Sequence, residues 1–327
     1  MNKPTVDVLM LLADGNFHSG QNLAGKLNVS RTIIWKAVQT LQREFGLDIF
    51  AVKGRGYRLA EPMELFDQDK LATHIANSDL TEDYRLHVYT TLDSTNQFLL
   101  NNASDDLRYQ ACLAEMQLNG RGRRGRSWVS PFGKNIQLSV SRVIDCSMAN
   151  VSGLSIAIAA AVAEYLYQLG LHDIAIKWPN DLYVGYKKLG GLLLEVKGEA
   201  EGPVKVVIGL GLNLDMSGVL PAAINQPYTD LKTAMAEHQL SRNMLAAGLI
   251  VSCIKTLKVF EEKGLEDFIG LWEKFDAFLG EPVMLSSAMN SENGIYEGID
   301  EQGNLKLKQN DQINVYHAGE VSLRKML

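Results

Sequence analysis

Residues 120–128 are Gly-Arg-Gly-Arg-Arg-Gly-Arg-Ser-Trp, which places four arginines within the six positions 121–126. Guanidinium groups this dense repel one another unless anions lie among them, and the interleaved glycines allow the backbone to approach those anions closely. The spacing formally satisfies the G-x-G-x-x-G of dinucleotide-binding folds. However, Ser130-Pro131-Phe132-Gly133 follows where the phosphate-binding helix should begin. The stretch therefore argues against a Rossmann fold.

The arginine loop, residues 120–126, has two competing interpretations. A dense basic run can be a nucleic-acid or localisation patch, and no Walker A pattern is present. Such patches usually lie in chain tails, whereas this run lies between two predicted strands, Ala111–Gln117 and Asn135–Val143. We therefore favour a loop that binds a phosphorylated ligand, with the nucleic-acid patch as the alternative.

The segments around the loop predict an α/β domain, because short β-like runs alternate with helical ones from Tyr84 to about Gly211. Gly153–Leu169 is Ala-rich and apolar nearly all round, which predicts a helix buried against a sheet. Residues 241–276 have a helical pattern, and short strands after Gly280 predict a small β-barrel or meander. The other predicted strands are Arg85–Tyr89, Ile174–Lys177, Lys188–Glu195 and Val204–Leu210 in the middle, and Pro282–Leu285, Gly294–Ile299, Leu305–Leu307, Ile313–Tyr316 and Val321–Leu323 in the tail.

Two further clusters carry polar chemistry. Lys177-Trp178-Pro179-Asn180-Asp181 leads on to Lys188-Leu189-Gly190-Gly191, and a strand–turn–strand layout would place Lys177, Asp181 and Lys188 near one end of the sheet. A surface hairpin with solvated charges is the alternative. Asp93-Ser94-Thr95-Asn96 lies where a strand gives way to a helix; Ser94 or Asp93 can cap that helix, and Thr95 and Asn96 can offer hydrogen bonds to a ligand.

The N-terminal 60 residues predict a winged helix-turn-helix. Apolar positions at helical spacing begin at Val6, Ser19 and Ser30 can cap a second and a third helix, and Asn28-Val29 makes a tight connection. Two short strands around Lys53-Gly54-Arg55-Gly56 predict a basic hairpin. We expect the third helix to enter a DNA major groove and the hairpin to lie along the flanking backbone. The candidate DNA-binding residues are Arg31, Thr32, Lys36, Gln39, Lys53 and Arg55.

Charge supports DNA binding by this module. The chain carries a net charge of −6, but residues 1–60 carry +4 and the remainder −10. A basic segment on an acidic protein indicates that this segment alone meets a polyanion. A small helical dimerisation or docking domain with an ordinary solvated face is the alternative.

Composition indicates a globular protein of two or three domains. No apolar run approaches the roughly 18 residues that cross a bilayer, and we expect no secretion signal and no membrane partner. The three cysteines (Cys112, Cys146 and Cys253) have no metal-ligand or disulfide spacing, which suits a reducing cytoplasm.

The three central clusters together resemble the biotin–protein ligase family. The resemblance is carried by Ser94-Thr95-Asn96, by the arginine loop with Trp128, by Lys177–Asp181 with Lys188, and by Gly209-Leu210-Gly211-Leu212-Asn213. With the winged helix in front, it extends to the bifunctional members, which also repress a biotin operon. It implies a mixed α/β multidomain protein: a winged helix-turn-helix over 1–64, an α/β ligase domain over 65–277 and an SH3-like β-barrel over 278–327.

The resemblance also implies the chemistry. Biotin and ATP would form biotinyl-5′-AMP with Mg²⁺, and a lysine of the biotin carboxyl carrier protein would then take the biotin. The implied contacts to biotin or its adenylate are Ser94, Thr95, Asn96, Gln117, Arg121, Gly122, Arg123 and Lys188. Arg123, Lys188 and Asp181 would serve catalysis. Trp128 would form an apolar wall beside the ligand or be an aromatic residue of the core. Tyr228 is the candidate for the adenine contact, at a position where well-known relatives carry Trp.

Regulation follows from the same resemblance. Biotinyl-5′-AMP would act as corepressor by strengthening a homodimer that binds a two-fold operator. Three alternatives stay open: a lipoate-type ligase or acyltransferase, a ligand-sensing repressor with an inactive catalytic domain, and a ligase whose winged helix no longer represses. The arginine loop with Lys-Trp-Pro-Asn-Asp argues against the first, and Lys188 with the arginine loop argues against the second.

Overall fold

The computed structural model describes residues 1–102, 108–145, 148–199, 202–219, 224, 226–236, 240–286, 290–310, 312–318 and 321–325. Three bodies of secondary structure follow one another along the chain: a helical module with a hairpin, a seven-stranded sheet with helices, and a five-stranded antiparallel sheet.

The N-terminal module has the predicted helix-turn-helix. It comprises α1 (Lys3–Leu12), α2 (Gly20–Leu27), α3 (Arg31–Phe45) and a hairpin of β1 (Ile49–Val52) and β2 (Gly56–Leu59). Ser19 and Ser30 cap α2 and α3 through their side-chain oxygens, and Asn28 between them adopts the left-handed conformation at φ 52°. Tyr57 pairs the hairpin with His18, and a Cβ on the preceding Gly56 would lie 2.0 Å from the carbonyl oxygen of His18.

The central sheet has the strand order β3-β4-β5-β9-β8-β7-β6. Only the pair β3–β4 is parallel. The strands are β3 (Tyr84–Leu92), β4 (Tyr109–Gln117), β5 (Asn135–Ile144), β6 (Ile174–Lys177), β7 (Asp181–Val184), β8 (Lys187–Gly198) and β9 (Val204–Asn213).

Helices cover both faces of this sheet. On one face Ile136, Leu138 and Val140 of β5 pack in the main core, with the apolar helix α6. On the other face Leu99 of a short helix packs on Cys112 and Val207. The helices of this region are α4 (Gln68–Ala76), α5 (Thr95–Asn101), α6 (Leu154–Gln168), α7 (Leu231–Ala234), α8 (Arg242–Lys263) and α9 (Glu266–Phe275).

Several local predictions needed correction. Residues 241–276 are helical as predicted, but they form two helices, α8 and α9, because Gly264 ends α8 at φ 73°. Helix α4 lies in a segment for which no helix or strand was predicted. The longest helix, α8, has the length and apolar composition of a membrane span, contrary to expectation. However, 67% of its most apolar window is buried inside the chain, which is typical of a core helix.

The C-terminal sheet has the order β13-β12-β11-β10-β14. Its strands are β10 (Pro282–Ser286), β11 (Ser291–Ile299), β12 (Leu305–Gln309), β13 (Gln312–Tyr316) and β14 (Ser322–Lys325). The five predicted strands are therefore confirmed, whereas a closed SH3-like barrel and the domain boundaries at 64/65 and 277/278 stay predictions. The indole Nε1 of Trp178 donates to the carbonyl of Gly303 at 3.0 Å and so joins this sheet to the central one.

Candidate functional site

One cavity gathers the three sequence clusters. It opens where β4, β6, β7, β8 and β9 present residues from widely separated parts of the chain, and Val321, Ser322 and Leu323 of the C-terminal sheet also line it. All eight predicted binding residues and the predicted Asp181 lie in its wall. The eight binding residues are Ser94, Thr95, Asn96, Gln117, Arg121, Gly122, Arg123 and Lys188.

The arginine loop closes on itself at the mouth of this cavity. The backbone amide of Trp128 donates to the carbonyl of Gly120 at 2.9 Å. The backbone amide of Gly122 donates to the carbonyl of Arg126 at 2.7 Å. Gly120 cannot carry a side chain, because a Cβ there would lie 2.8 Å from the Trp128 carbonyl oxygen. Arg124 at the tip is left-handed, with φ 56°. The loop is thus an ordered turn with side chains on different sides.

Arg123 is the arginine that turns inward. Its Nη1 donates to Oδ1 of Asn180 at 2.9 Å. Burial lowers the pKa of Arg123, whereas the charge of Asp181 raises it and those of Arg124 and Arg126 lower it. An arginine keeps its charge under such a shift. The structure therefore holds a half-desolvated cation in the cavity, where it would attract an anionic ligand more strongly than an arginine in water.

Arg121 is directed to the opposite side of the loop. Its Nη2 donates to Oε1 of Gln97 at 2.6 Å and lies 3.7 Å from a carboxylate oxygen of Glu195. Its side chain is 45% exposed, so it is available to a ligand only at the rim.

A second group of charges surrounds Asp181. Lys188 Nζ donates to its Oδ1 at 2.7 Å, and this ion pair is formed across the β7–β8 hairpin. Burial lowers the pKa of the nearby Lys177, and the positive charges of Lys188, Arg324 and Arg126 lower it further, while Asp181 raises it. Cations thus outnumber the one carboxylate, and this end of the cavity favours an anionic ligand.

The other end of the cavity is neutral and polar. The backbone amide of Thr95 donates to Oε1 of Gln117 at 2.8 Å, and the Thr95 hydroxyl lies 3.1 Å from the same oxygen. Ser94 caps α5 by accepting from the amide of Gln97. This arrangement joins the end of β4 to the start of α5 through neutral hydrogen bonds.

Asn96 is held by the protein itself. Its Nδ2 donates to the carbonyl of Leu193 at 3.2 Å and to Glu195 at 2.8 Å, and its Oδ1 lies 2.5 Å from the hydroxyl of Ser139. Gly209 makes room for it, since a Cβ there would lie 2.3 Å from Oδ1. Both hydrogens of the amide are therefore used. The predicted contact of Asn96 with biotin stays a prediction, and the geometry favours a positioning role.

Two aromatic residues were expected near the ligand. Trp128 lines the cavity and packs against Gly211. A Cβ on Gly211 would lie 2.5 Å from the indole ring. Tyr228 is paired by its backbone with Lys188, and its hydroxyl donates to the carbonyl of Val219 at 3.4 Å. Part of the segment 214–229 lies outside the described residues, and the adenine contact of Tyr228 stays a prediction.

Several residues in and behind the cavity wall were not predicted as site residues. Asn180 and Gln137 line the cavity, and Asn180 bridges Arg123 and the carbonyl of Leu192. Ser139 and Glu195 do not line the cavity but hydrogen-bond to Asn96 at its neutral end. Asn135, Gln137, Ser139 and Ser141 are polar at every second position of β5 and all are buried. Alternating polar residues on a central strand were the signal that one face of this strand meets something other than a hydrophobic core.

The candidate DNA surface is exposed on α3 and the hairpin. Arg31, Thr32 and Lys36 are exposed on α3, and Lys53 and Arg55 are exposed in the turn. The Arg55 guanidinium stacks on the ring of Phe17 at 4.1 Å. Gln39 differs from the others because it is half-buried. Its Nε2 donates to Oε1 of Gln42, and Nε2 of Gln42 donates to the carbonyl of Ile49.

Metal and thiol chemistry find no support in the described residues. Over those ranges no group of three or more His, Cys, Asp or Glu side chains could hold a metal ion. Cys112 and Cys253 are buried free thiols, and burial raises the pKa of Cys253 to about 12. Cys146 lies outside the described residues.

Comparison with known proteins agrees with this geometry. The chain is 42% identical to the bifunctional ligase/repressor BirA of Salmonella typhimurium over 317 residues, which is 97% of this chain and 96% of that protein. It is 40% identical to the Escherichia coli BirA, with 99% and 98% of the two chains covered. The chain belongs to the biotin–protein ligase family. The resemblance inferred from the motifs is therefore confirmed.

Three family models match separate parts of the chain, and a solved ligase structure matches most of its length. The Biotin/lipoate A/B protein ligase family matches residues 88–213, an HTH domain matches 7–58, and the Biotin protein ligase C terminal domain matches 278–324. The biotin protein ligase of Aquifex aeolicus, solved in complex with biotin and ATP, has a TM-score of 0.62 and 27% identity. It covers 74% of this chain and 99% of its own. The chain therefore combines an N-terminal HTH domain with a biotin ligase fold and a biotin protein ligase C-terminal domain.

Proposed function

We propose that this protein is a bifunctional biotin–protein ligase and biotin-operon repressor. One observation carries the proposal: a single cavity joins a neutral hydrogen-bonding end at Thr95 and Gln117 to a cationic end at Arg123, Lys177 and Lys188. A molecule with a neutral polar ring and an acid group fits this polarity, and biotin is such a molecule. The relatives named BirA and the Aquifex aeolicus complex support the choice.

The first step forms an acyl adenylate. The carboxylate oxygen of biotin attacks the α-phosphorus of ATP, the bond to the bridging oxygen breaks, and pyrophosphate leaves. We assign Lys188 and Arg123, which both line the cavity, to neutralising the charge that the α-phosphate and the carboxylate bring together. Positive groups directed at such charge accelerate adenylyl transfer.

The second step transfers biotin to a carrier lysine. The ε-amine attacks the carbonyl carbon of the mixed anhydride, AMP leaves, and an amide is formed. Asp181 lines the cavity, and its Oδ1 lies 2.7 Å from Nζ of Lys188, so its carboxylate would meet an amine that enters beside the phosphate. We assign it the orientation of that amine, as the family resemblance implies.

Mg²⁺ is expected to arrive with ATP. Over the described ranges no acidic cluster could hold it, and the Asp181 carboxylate is already paired with Lys188. Mg²⁺ commonly binds substrate phosphates with few protein ligands, so this donor set fits a nucleotide-bound ion. The ion would supply further neutralisation of the phosphates.

The remaining parts of the proposal concern regulation. The exposed cations of α3 and the hairpin turn would bind operator DNA, biotinyl-5′-AMP would be the corepressor, and a homodimer would match a two-fold operator. Ligand binding and dimerisation would strengthen each other reciprocally. We also propose that the protein acts in the cytoplasm. We assign residues 278–327 to an SH3-like barrel that contributes to the cavity wall.

The decisive assay mixes the protein with biotin, Mg-ATP and a carrier domain. We expect a mass gain on one carrier lysine that depends on ATP. An operator gel shift that strengthens when biotin and ATP are both present tests repression. Labelling without any such shift would leave a ligase that does not repress.

A further inference from the structure

Gln137, on β5 in the centre of the sheet, is 1% exposed and lies in the wall of the cavity. Its Nε2 is fully buried, yet no acceptor for it exists within the described parts of the chain. Buried amide nitrogens in native proteins are nearly always hydrogen-bonded. An unused buried donor in a ligand cavity therefore points to an acceptor on the ligand.

The orientation of this amide is fixed by a chain of hydrogen bonds. The backbone N–H of Thr95 can only donate, so the Gln117 atom it meets at 2.8 Å is Oε1. Gln117 must then present Nε2 to Gln137, 3.3 Å away, and Gln137 must accept with Oε1. Rotation of either amide by 180° would place two donors or two acceptors together. Nε2 of Gln137 is consequently the atom left without a partner.

A second unused donor lies beside the first. Nε1 of Trp128 is also buried without an acceptor in the described residues. Gln137 pairs with Gly211 across β5 and β9, and residues paired in this way direct their side chains to the same face. A Cβ on Gly211 would lie 3.0 Å from Nε1 of Trp128, so the indole covers that same face. Both N–H groups are therefore on one wall, at the neutral end.

We propose that Nε2 of Gln137 donates a hydrogen bond to the ureido oxygen of biotin and makes this chain selective for a urea over a guanidine. The inference rests on the proposed function and deepens it. The acid end of the ligand is expected at Lys188 and Arg123, which leaves the ring system for the end at Gln117 and Gln137. A ureido oxygen has two lone pairs and accepts more than one N–H, whereas the guanidinium of 2-iminobiotin has only N–H donors there.

The test compares biotin and 2-iminobiotin in the adenylation step, followed by pyrophosphate release. We expect Gln137→Leu to raise the KM for biotin about tenfold while the KM for ATP stays within about twofold. We expect Gln137→Glu to lower the preference for biotin over 2-iminobiotin about a hundredfold, because its carboxylate accepts from the guanidinium and repels the ureido oxygen. The ratio of the two kcat/KM values within one preparation does not depend on the fraction of folded enzyme.

Ser141→Ala is the matched control, because Ser141 lies on the same face of β5, is equally buried and does not line the cavity. It should leave the preference ratio unchanged. If both Gln137 variants also keep the wild-type ratio and the wild-type KM for biotin, the assignment of Gln137 is wrong. A wild-type enzyme that activates neither compound would instead overturn the proposed ligase function.

Discussion

Phe132 packs edge-to-face on Phe45, with ring centroids 5.7 Å apart and an interplanar angle of 77°. Phe45 ends α3 of the DNA-binding module, whereas Phe132 follows the arginine loop by six residues and belongs to the catalytic part of the sequence. Phe132 is 2% exposed and packs within the core of the N-terminal module. The segment that carries the ligand-binding arginines is thus anchored at its far end in the winged helix.

Removing this anchor should destabilise the protein. We expect Phe132→Ala to lower the free energy of unfolding by about 3–5 kcal/mol, because it deletes a buried aromatic ring and leaves a cavity. Urea unfolding measures the change. Met10→Ala is the control, since Met10 is 60% exposed on α1 and should cost less than about 0.5 kcal/mol. Equal losses in the two variants would show that Phe132 does not help to hold the module in place.

Arg123 should govern how long the adenylate is retained. Asn180 holds its guanidinium at 2.9 Å. A hydrogen bond to a charged group, such as the one proposed between Arg123 and the adenylate phosphate, is worth about 1.5–3 kcal/mol. We expect Arg123→Ala to release biotinyl-5′-AMP about ten to a hundred times faster, which is measured by chasing labelled adenylate. Lys187→Ala removes an exposed cation outside the cavity and should release it at the wild-type rate. Unchanged release from Arg123→Ala would contradict the role given to this residue.

Arg55 should contribute to DNA affinity without contributing to sequence preference. It lies in the exposed hairpin turn, and a phosphate contact releases about one counterion from DNA. We expect Arg55→Gln to weaken binding to all sequences and to reduce the slope of log K against log salt by about one unit. Lys263→Gln, at the end of α8, serves as the control of equal charge. A slope equal to that of the control would remove the hairpin from the DNA contact.

Asp215 should contribute to acid stability. Burial raises its pKa, but hydrogen bonds from Lys232 and Ser217 outweigh burial and lower it to about 2 from the ordinary 3.8. A carboxyl with a depressed folded-state pKa stabilises the fold above its unfolded pKa, and the contribution is lost as pH falls from 3.8 towards 2. The difference in urea midpoint between wild type and Asp215→Asn should therefore shrink across that window. A difference that is constant from pH 5 to about pH 2 would exclude this linkage.

Local sequence signals predicted the helix-turn-helix, the hairpin and most strands. Ser19, Ser30 and Asn28 perform the capping and turn roles that their side chains suggest, because those roles depend on a few neighbouring residues. The three polar clusters were also predicted to meet, since family motifs carry information that local periodicity does not. All of their named binding residues do line one cavity.

Long-range packing was beyond prediction from the sequence. Nothing near Phe132 in the sequence indicates that it fills the core of a module formed by residues 1–60, and nothing near Asn96 reveals that Glu195 and Leu193 use both of its hydrogens. The position of Gln137 beside Trp128 depends on its pairing with Gly211, which lies 74 positions further along the chain. Such relationships are set by sheet register, which local propensity does not determine.

The most direct test of the central claim is biotin-dependent exchange of labelled pyrophosphate into ATP, with the transfer step left out. We expect exchange that requires both biotin and Mg²⁺ and that falls at least about a hundredfold in Lys188→Ala, because this variant lacks the cation proposed to neutralise the carboxylate and α-phosphate. Lys187→Ala, its exposed neighbour, should retain the wild-type rate. Absence of biotin-dependent exchange by the wild-type protein, or full exchange by Lys188→Ala, would contradict the account.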